Sequence, residues 1–282
     1  MALDRSDGIT GYLSGGLGNQ LFAYAAALEQ SRRLDCSLYL DCSGYDERNR
    51  RTLELDGFGL PGVFFREGSS VGASARRPRL ARLLTRSRRE TTVFVERGPG
   101  YDPRIESVRI GQTLYGYFQA RAYFRSSEPK LVELLPAPPQ DSASIAVHVR
   151  RGDYLMPAHA SHGVATRAYF ERAIPLMYEA YGELPLRVFT DSPETVQDEF
   201  EGLPYAFELA PNAPELSPWE TVVLMARSRA MVLSNSSFSW WAAWLMRQRD
   251  PSVRVIAPRP WVADGASAHD LLYEEWISLG IR

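Results

Sequence analysis

The sequence predicts an α/β protein built as two halves with a cleft between them. Three observations carry this: a strand–helix–strand pattern at the amino end, a proline-rich break near the middle, and a regular alternation of short apolar runs with helical stretches beyond it. At 282 residues, 45% of them hydrophobic, the chain has ample material for two cores.

The first strand runs from Ile9 to Leu13 and enters a glycine turn. A helix from Asn19 to Arg33 follows, with Leu21, Ala25 and Leu28 on one apolar stripe and Phe22 and Ala26 beside it. Ser37 to Asp41 is a second strand, so the unit is βαβ, the seed of a parallel sheet. The pattern weakens from Arg66 to Arg89, where "ARRPRLARLLTRSRRE" holds seven arginines between Arg76 and Arg89, with Leu80, Leu83 and Leu84 as a narrow stripe. Two readings stand for it: a solvated helix or loop, or a patch drawn to anionic lipid headgroups or a lipid-pyrophosphate acceptor. "LLPAPPQDSAS", Leu134 to Ser144, reads as a linker that divides residues 1–136 from 137–282.

After the linker, Ile145 to Val149 is a strand and Arg167 to Tyr181 a helix, with Pro175 inside as an expected kink. Leu186 to Thr190 is the next strand, followed by a helix near Glu194 to Phe200. "SPWE", Ser217 to Glu220, is a capping box that opens another helix. A strand from Ala230 to Ser234, a helix from Phe238 to Arg247 and a strand from Val253 to Ala257 complete the set.

Composition excludes several classes. A formal net charge of −2 lacks the basic excess of a nucleic-acid binder. The opening "MALDRSDGIT" is too polar for a secretion signal, and no apolar run approaches the length of a membrane span. Cys36 and Cys42 would stand roughly 20 Å apart along a strand, too far to bridge. His148, His159, His162 and His269 form no helical ligand motif, and no zinc spacing occurs. A cytoplasmic protein without metal or cofactor is expected.

Chemistry gathers in three places. "SGGLGNQ" puts Gly15, Gly16 and Gly18 between a strand and a helix, where backbone amides can face an anion. A plain tight turn explains the glycines equally well. "AVHVRRGDYL" ends a strand in His148, Arg150, Arg151 and Asp153. Alternation sets His148 and Arg150 on one face and Arg151 with Val147 and Val149 on the other. Arg150 then stands at the carboxyl end of the strand, where open α/β sheets bind ligands, and its planar fork suits a phosphate. Arg151 is expected to pair with an internal carboxylate. Asp153 can cap, pair with an arginine or serve as a base. "LSNSSFSWWAAWL" sets Asn235, Ser236 and Ser237 at a helix N-terminus, a neutral cradle for phosphate or an ordinary cap. Phe238, Trp241 and Leu245 read as core, whereas Trp240 and Trp244 read as either a sugar-cleft lining or a domain interface. An arginine beside hydroxyls at strand ends points to a diphosphate.

"GGLGNQLFAYAAAL", "YGYFQ", "HVRRGDY", "VFTDSPE" and "SNSSFSWWAAWL", in this order, resemble the α-1,2-fucosyltransferases of glycosyltransferase family 11, over about Gly11 to Trp261. The resemblance implies the B-type glycosyltransferase fold, two Rossmann-like domains facing a cleft. It implies GDP-L-fucose as donor and an inverting, metal-independent transfer to a sugar 2-hydroxyl. It also implies that Arg150 holds the β-phosphate and that Ser236, Ser237 and Phe238 touch the diphosphate. His148 and Asp191 would lie near the guanosine, and Gly16, Leu17, Gly18 and Asn19 would reach the donor from the other domain. The sequence departs from the family at Ser192, where a second acidic residue is common, and at Arg229, where a histidine is.

No D-x-D triplet offers a carboxylate pair for a metal, so Arg150, helix amides and hydroxyls are expected to stabilise the leaving GDP. Asp153 is the candidate base, with His148 and weak assistance from Asn19 as fallbacks. The amino-terminal half is expected to build the acceptor side, with Tyr115, Tyr117 and Phe118 offering stacking faces. The acceptor would be an oligosaccharide or a lipid-linked glycan, with the arginine-rich stretch as a peripheral contact to the inner membrane face.

Overall fold

A computed structural model describes residues 4–45, 52–55, 58–66, 93–152, 165–211, 215–261 and 270–281. The arginine-rich stretch, Asp153, His159, His162 and His269 lie outside these residues. The chain divides into two units, Met1–Leu134 and Leu135–Arg282.

In the first unit, strands β1 (Gly8–Tyr12), β2 (Ser37–Asp41), β3 (Val63–Phe65), β4 (Val93–Val95) and β5 (Thr113–Tyr115) form one parallel sheet in the order β3-β2-β1-β5-β4. Helix α1 (Leu17–Arg33) crosses from β1 to β2 and ends with Arg32 and Arg33 at the negative end of its dipole. It lies close on the sheet: a Cβ at Gly11 would stand 2.8 Å from the Ala27 Cβ. The expected one-sided stripe is exceeded, because Ala23, Tyr24 and Ala27 are buried as well. Short 3-10 turns at Arg121–Tyr123 and Arg125–Ser127 cover a second side of the helix. Helix α2 (Glu128–Leu134) closes the unit.

The second unit holds strands β6 (Ile145–Val149), β7 (Leu186–Thr190), β8 (Phe207–Leu209), β9 (Ala230–Val232), β10 (Val255–Arg259) and β11 (Ile277–Gly280), all parallel, in the order β11-β10-β9-β6-β7-β8. Its helices are α3 (Arg167–Tyr181), α4 (Pro193–Phe200), α5 (Pro218–Ala226) and α6 (Ser237–Arg249). The capping box of α5 forms as expected, with Ser217 and Glu220 bonding reciprocally. The expected strands at Ala230–Ser234 and Val253–Ala257 are shifted: β9 stops at Val232 and β10 starts at Val255. Ile145, Val147 and Val149 pack one face of the sheet against Tyr169, Phe170 and Ile174 of α3 and Val196 and Phe200 of α4. On the opposite face His148 meets Phe238 of α6. Both faces of β6 are thus covered, which is why its residues read as a continuous buried run.

No helix among the described residues is long and apolar enough to cross a membrane.

Candidate functional site

The strand orders locate the sites. From β6 the second sheet grows through β7 to β8 on one side and, after a reversal, through β9 to β11 on the other. The reversal falls between β6 and β9, where loops leaving the carboxyl ends part in opposite directions and open a crevice. "HVRRG" leaves β6 at this point, and "LSNSSF" leaves β9.

His148 is 4% exposed, and its Nδ1 lies 2.7 Å from the Ser234 hydroxyl beyond β9. Its ring tilts against Phe238, with centroids 5.9 Å apart. Burial, then the nearby Arg150 and Arg151 charges, push its pKa down from 6.5 to about 3. The imidazole is therefore neutral at working pH. Arg150 follows just past the end of β6, and the positive charge beside the neutral ring belongs to the arginines.

Arg151 turns the other way and is 1% exposed. Its Nε and Nη2 clasp Glu199 of α4 at 2.9 and 2.7 Å, and its Nη1 donates to the Arg150 carbonyl at 2.9 Å. This is the internal pairing expected of it, and it anchors the loop from below. The turn after β7 anchors it from the side. Asp191 accepts from the Arg151 backbone amide at 3.0 Å and pairs with Arg150 Nη1 at 2.8 Å, while Ser192 Oγ accepts from the Gly152 amide at 3.1 Å.

At the start of α6, Ser236 is the N-cap and accepts from the Phe238 amide at 3.3 Å. Ser234, Asn235 and Ser239 are buried around it, and Asn235 Nδ2 donates to the Trp261 carbonyl at 3.2 Å. Ser237 and Phe238 are half-buried in the first turn, so Phe238 departs from the core position expected of it. The helix is at its end there, over the edge of the sheet. Trp240 and Trp244 are also corrected: both are fully buried and line no sugar cleft. Trp240 donates to the Leu271 carbonyl at 2.9 Å and packs among Tyr273 and Trp276, and Trp244 meets Trp241 edge-on.

In the first unit the strand order reverses between β1 and β5, and the loops leaving these two strands carry "SGGLGNQ" and "GYFQ". Gly15 takes φ +77°, so the turn needs glycine there, and Gly16 is the extended N-cap of α1 with no side-chain cap on the helix end. Leu17 and Gly18 are buried in the first helical turn. Asn19 Oδ1 accepts from Gln119 Nε2 at 2.8 Å, which ties the two loops together. Gln20, fully buried, donates to the carbonyls of Gly15 and Thr52 and accepts from the amides of Glu54 and Leu55.

Of the three expected stacking faces, Tyr117 is 48% exposed, Tyr115 is half-buried against Tyr12, and Phe118 is fully buried. Phe118 belongs to the core, edge-on to Tyr123, and takes φ +53°. Glu96, at the end of β4, holds this bend by accepting from the amides of Tyr117 and Phe118 at 2.8 and 3.0 Å, and burial raises its pKa.

The structure thus gathers His148, Arg150, Asp191, Ser236 and Phe238 at the carboxyl ends of β6, β7 and β9, and Gly16, Leu17, Gly18 and Asn19 beyond the carboxyl end of β1 in the other sheet. Sequence reasoning missed Ser234, Gly152, Ser192 and Glu96. Ser234 carried a signal as the residue expected to end β9, and Ser192 carried one as a departure from the family pattern; Gly152 and Glu96 carried none. Among the described residues no three His, Cys, Asp or Glu side chains group as metal ligands would.

Comparison with known proteins identifies the family. A profile of Glycosyl transferase family 11 matches residues 130–280. The chain is 30% identical to the Escherichia coli "O-antigen biosynthesis glycosyltransferase WbnK", over 95% of this chain and 99% of that protein. It is 28% identical to an Escherichia coli "Alpha-1,2-colitosyltransferase", over 95% and 97%. A shorter match, 33% identical over 36% of this chain and 28% of the other, is to "Galactoside alpha-(1,2)-fucosyltransferase 1" of Saimiri sciureus.

Proposed function

The chain belongs to glycosyl transferase family 11, and on that premise we propose that this glycosyltransferase moves L-fucose from GDP-L-fucose to the 2-hydroxyl of a β-galactoside glycan, with inversion and without a metal ion. The observation that carries the reading is that Arg150, just past the end of β6, and the N-terminus of α6, just past β9, leave neighbouring strands at the reversal of the second sheet, with the neutral His148 of β6 reaching Ser234 and Phe238.

In the proposed reaction the acceptor hydroxyl attacks the anomeric carbon as the bond to GDP breaks. Negative charge grows on the leaving diphosphate, and Arg150 with the hydroxyls and amides at Ser236, Ser237 and Phe238 stabilises it. Asp153 takes the proton from the hydroxyl. His148 is the weaker candidate for that step, because a group with pKa about 3 takes up a proton reluctantly near neutrality. Asn19 can only hydrogen-bond. The second unit would hold the donor; the first would receive the acceptor and reach the donor through Gly16, Leu17, Gly18 and Asn19. The name of the WbnK relative supports a glycan acceptor, which would be an oligosaccharide, free or lipid-linked; the seven arginines at 76–89 are what supports a peripheral contact with anionic headgroups on the cytoplasmic side of a membrane.

A second reading keeps the α-1,2 transfer and changes the sugar, and the colitosyltransferase matched over 95% of the chain favours it. One assay separates the two. The purified protein is given GDP-fucose, GDP-colitose and other nucleotide sugars with an array of β-galactosides, and the product linkage is read by NMR. Transfer from GDP-fucose to a galactose 2-hydroxyl is expected. Efficient transfer from another nucleotide sugar alone refutes the donor, and a product linked elsewhere refutes the regiochemistry.

A further inference from the structure

The loop that carries Arg150 is clamped by the turn after β7 in a way that reassigns one side chain. Both oxygens of Asp191 serve this loop: Oδ1 accepts the Arg151 amide at 3.0 Å, and Oδ2 pairs with Arg150 Nη1 at 2.8 Å. The contact is tight. A Cβ at Gly152 would stand 2.2 Å from Oδ2 and 3.0 Å from Cγ of Asp191, so glycine is required there to let the backbone meet the carboxylate. Next along both segments, the Gly152 amide donates to Ser192 Oγ at 3.1 Å, and the Ser192 amide donates to Thr190 Oγ1 at 3.1 Å. Ser192, a departure from the family pattern, thus supplies a neutral acceptor for the loop. Residues 150–152 and 190–192 form one hydrogen-bonded piece, resting on the Arg151–Glu199 clasp.

We propose that Asp191 is a positioning residue: it holds the Arg150 guanidinium at the diphosphate site and acts on the phosphates through Arg150, not on the nucleoside. The proposal rests on the GDP-sugar reading above. A long arginine side chain loses much rotamer freedom when it binds, and one already pinned has less to lose. The pair is only partly exposed, 19% and 26%, so solvent and salt screen it incompletely.

The test compares Asp191→Ala, Asp191→Asn and Gly152→Ala, each alone and combined with Arg150→Ala, by calorimetric titration with GDP and with guanosine, with thermal unfolding alongside. Asp191→Ala is expected to weaken GDP about tenfold and to leave guanosine unchanged. Asp191→Asn keeps the shape but only one of the two acceptor oxygens and no charge, so it loses one of the two contacts and its GDP affinity should fall between those of wild type and Asp191→Ala, with guanosine again unchanged. Gly152→Ala displaces the carboxylate without removing it, so it should lose GDP affinity selectively, even if Asp191→Ala fails to fold. Combined with Arg150→Ala, none of the three should cost GDP affinity further. Parallel loss of guanosine, additivity with Arg150→Ala, or tighter GDP binding by Asp191→Ala each overturns the proposal. Wild-type protein that binds no GDP overturns the GDP-sugar reading itself, a separate result.

Discussion

Replacing His148 by asparagine should flatten the pH dependence of stability in the second unit. The histidine titrates at 6.5 when exposed and at about 3 when folded, because burial and two arginines disfavour its charged form. The sign follows from linkage. The unfolded chain binds a proton that the folded chain refuses, so this stability is fully present above pH 6.5 and is lost as pH falls from there toward 3. At pH 5 the unfolded histidine is about 1.5 pH units below its pKa, and at 1.36 kcal/mol per unit the loss is about 2 kcal/mol. With a urea m-value of about 2 kcal/mol/M, the unfolding midpoint should fall by about 1 M between pH 8 and pH 5. All six tryptophans lie in the second unit, so tryptophan fluorescence in urea reports the unit that contains His148. His148→Asn keeps a polar atom near Ser234 Oγ and will be less stable at every pH, but its midpoint should move far less between pH 8 and pH 5. Equal shifts in wild type and variant would refute the buried, neutral histidine and restore it as a candidate base.

Four further outcomes are expected. Arg150→Ala should weaken GDP in calorimetry and slow turnover, together costing about 3–5 kcal/mol in kcat/KM, and Arg150→Lys, which keeps the charge without the fork, should recover only part. Asp153→Asn should keep GDP affinity within a few-fold and lower turnover by roughly 10² to 10⁴; loss of GDP binding or of folding instead would give Asp153 a structural role. Activity should persist in excess EDTA, and restoration by magnesium or manganese after a chelator-induced loss would refute the metal-free mechanism. Arg151→Met should lower stability by about 2–3 kcal/mol in urea titrations, below the usual cost of breaking a buried pair, because Glu199 is 32% exposed and water can solvate it.

Legibility followed segment length and enclosure. Strands Ile145–Val149 and Leu186–Thr190 and helix Arg167–Tyr181 could be read to the residue, because each is long enough for its pattern to repeat. Val63–Phe65, Val93–Val95, Thr113–Tyr115 and Phe207–Leu209 could not, since three residues carry no period. Trp240 and Trp244 misled because stripe reasoning assumes that one helix face meets solvent. Helix α6 is enclosed on that side by Leu271, Tyr273 and Trp276, which no local pattern announces. At the site, alternation alone turned Arg151 away from Arg150 toward a buried partner. That this partner is Glu199, 48 residues on, needed the fold. Ser192 looked like a lost acidic residue until its hydroxyl was found accepting from Gly152.

The chemistry at the reversal of the second sheet also limits what that cluster can select. A guanidinium, hydroxyls and helix-end amides are matched to phosphate oxygens, which every nucleotide-diphosphate sugar presents alike. Such groups can bind and stabilise the leaving nucleotide, but they are blind to whether the transferred hexose carries a given hydroxyl. Discrimination of that kind needs a buried polar partner that is left unsatisfied by the wrong sugar. In the first unit the loops after β1 and β5 are tied by the Asn19–Gln119 bond and carry backbone of positive φ at Phe118, so they are polar and shaped. On the proposed function, the arginine cluster would bind any such nucleotide, and a preference for one donor sugar would have to come from residues outside it.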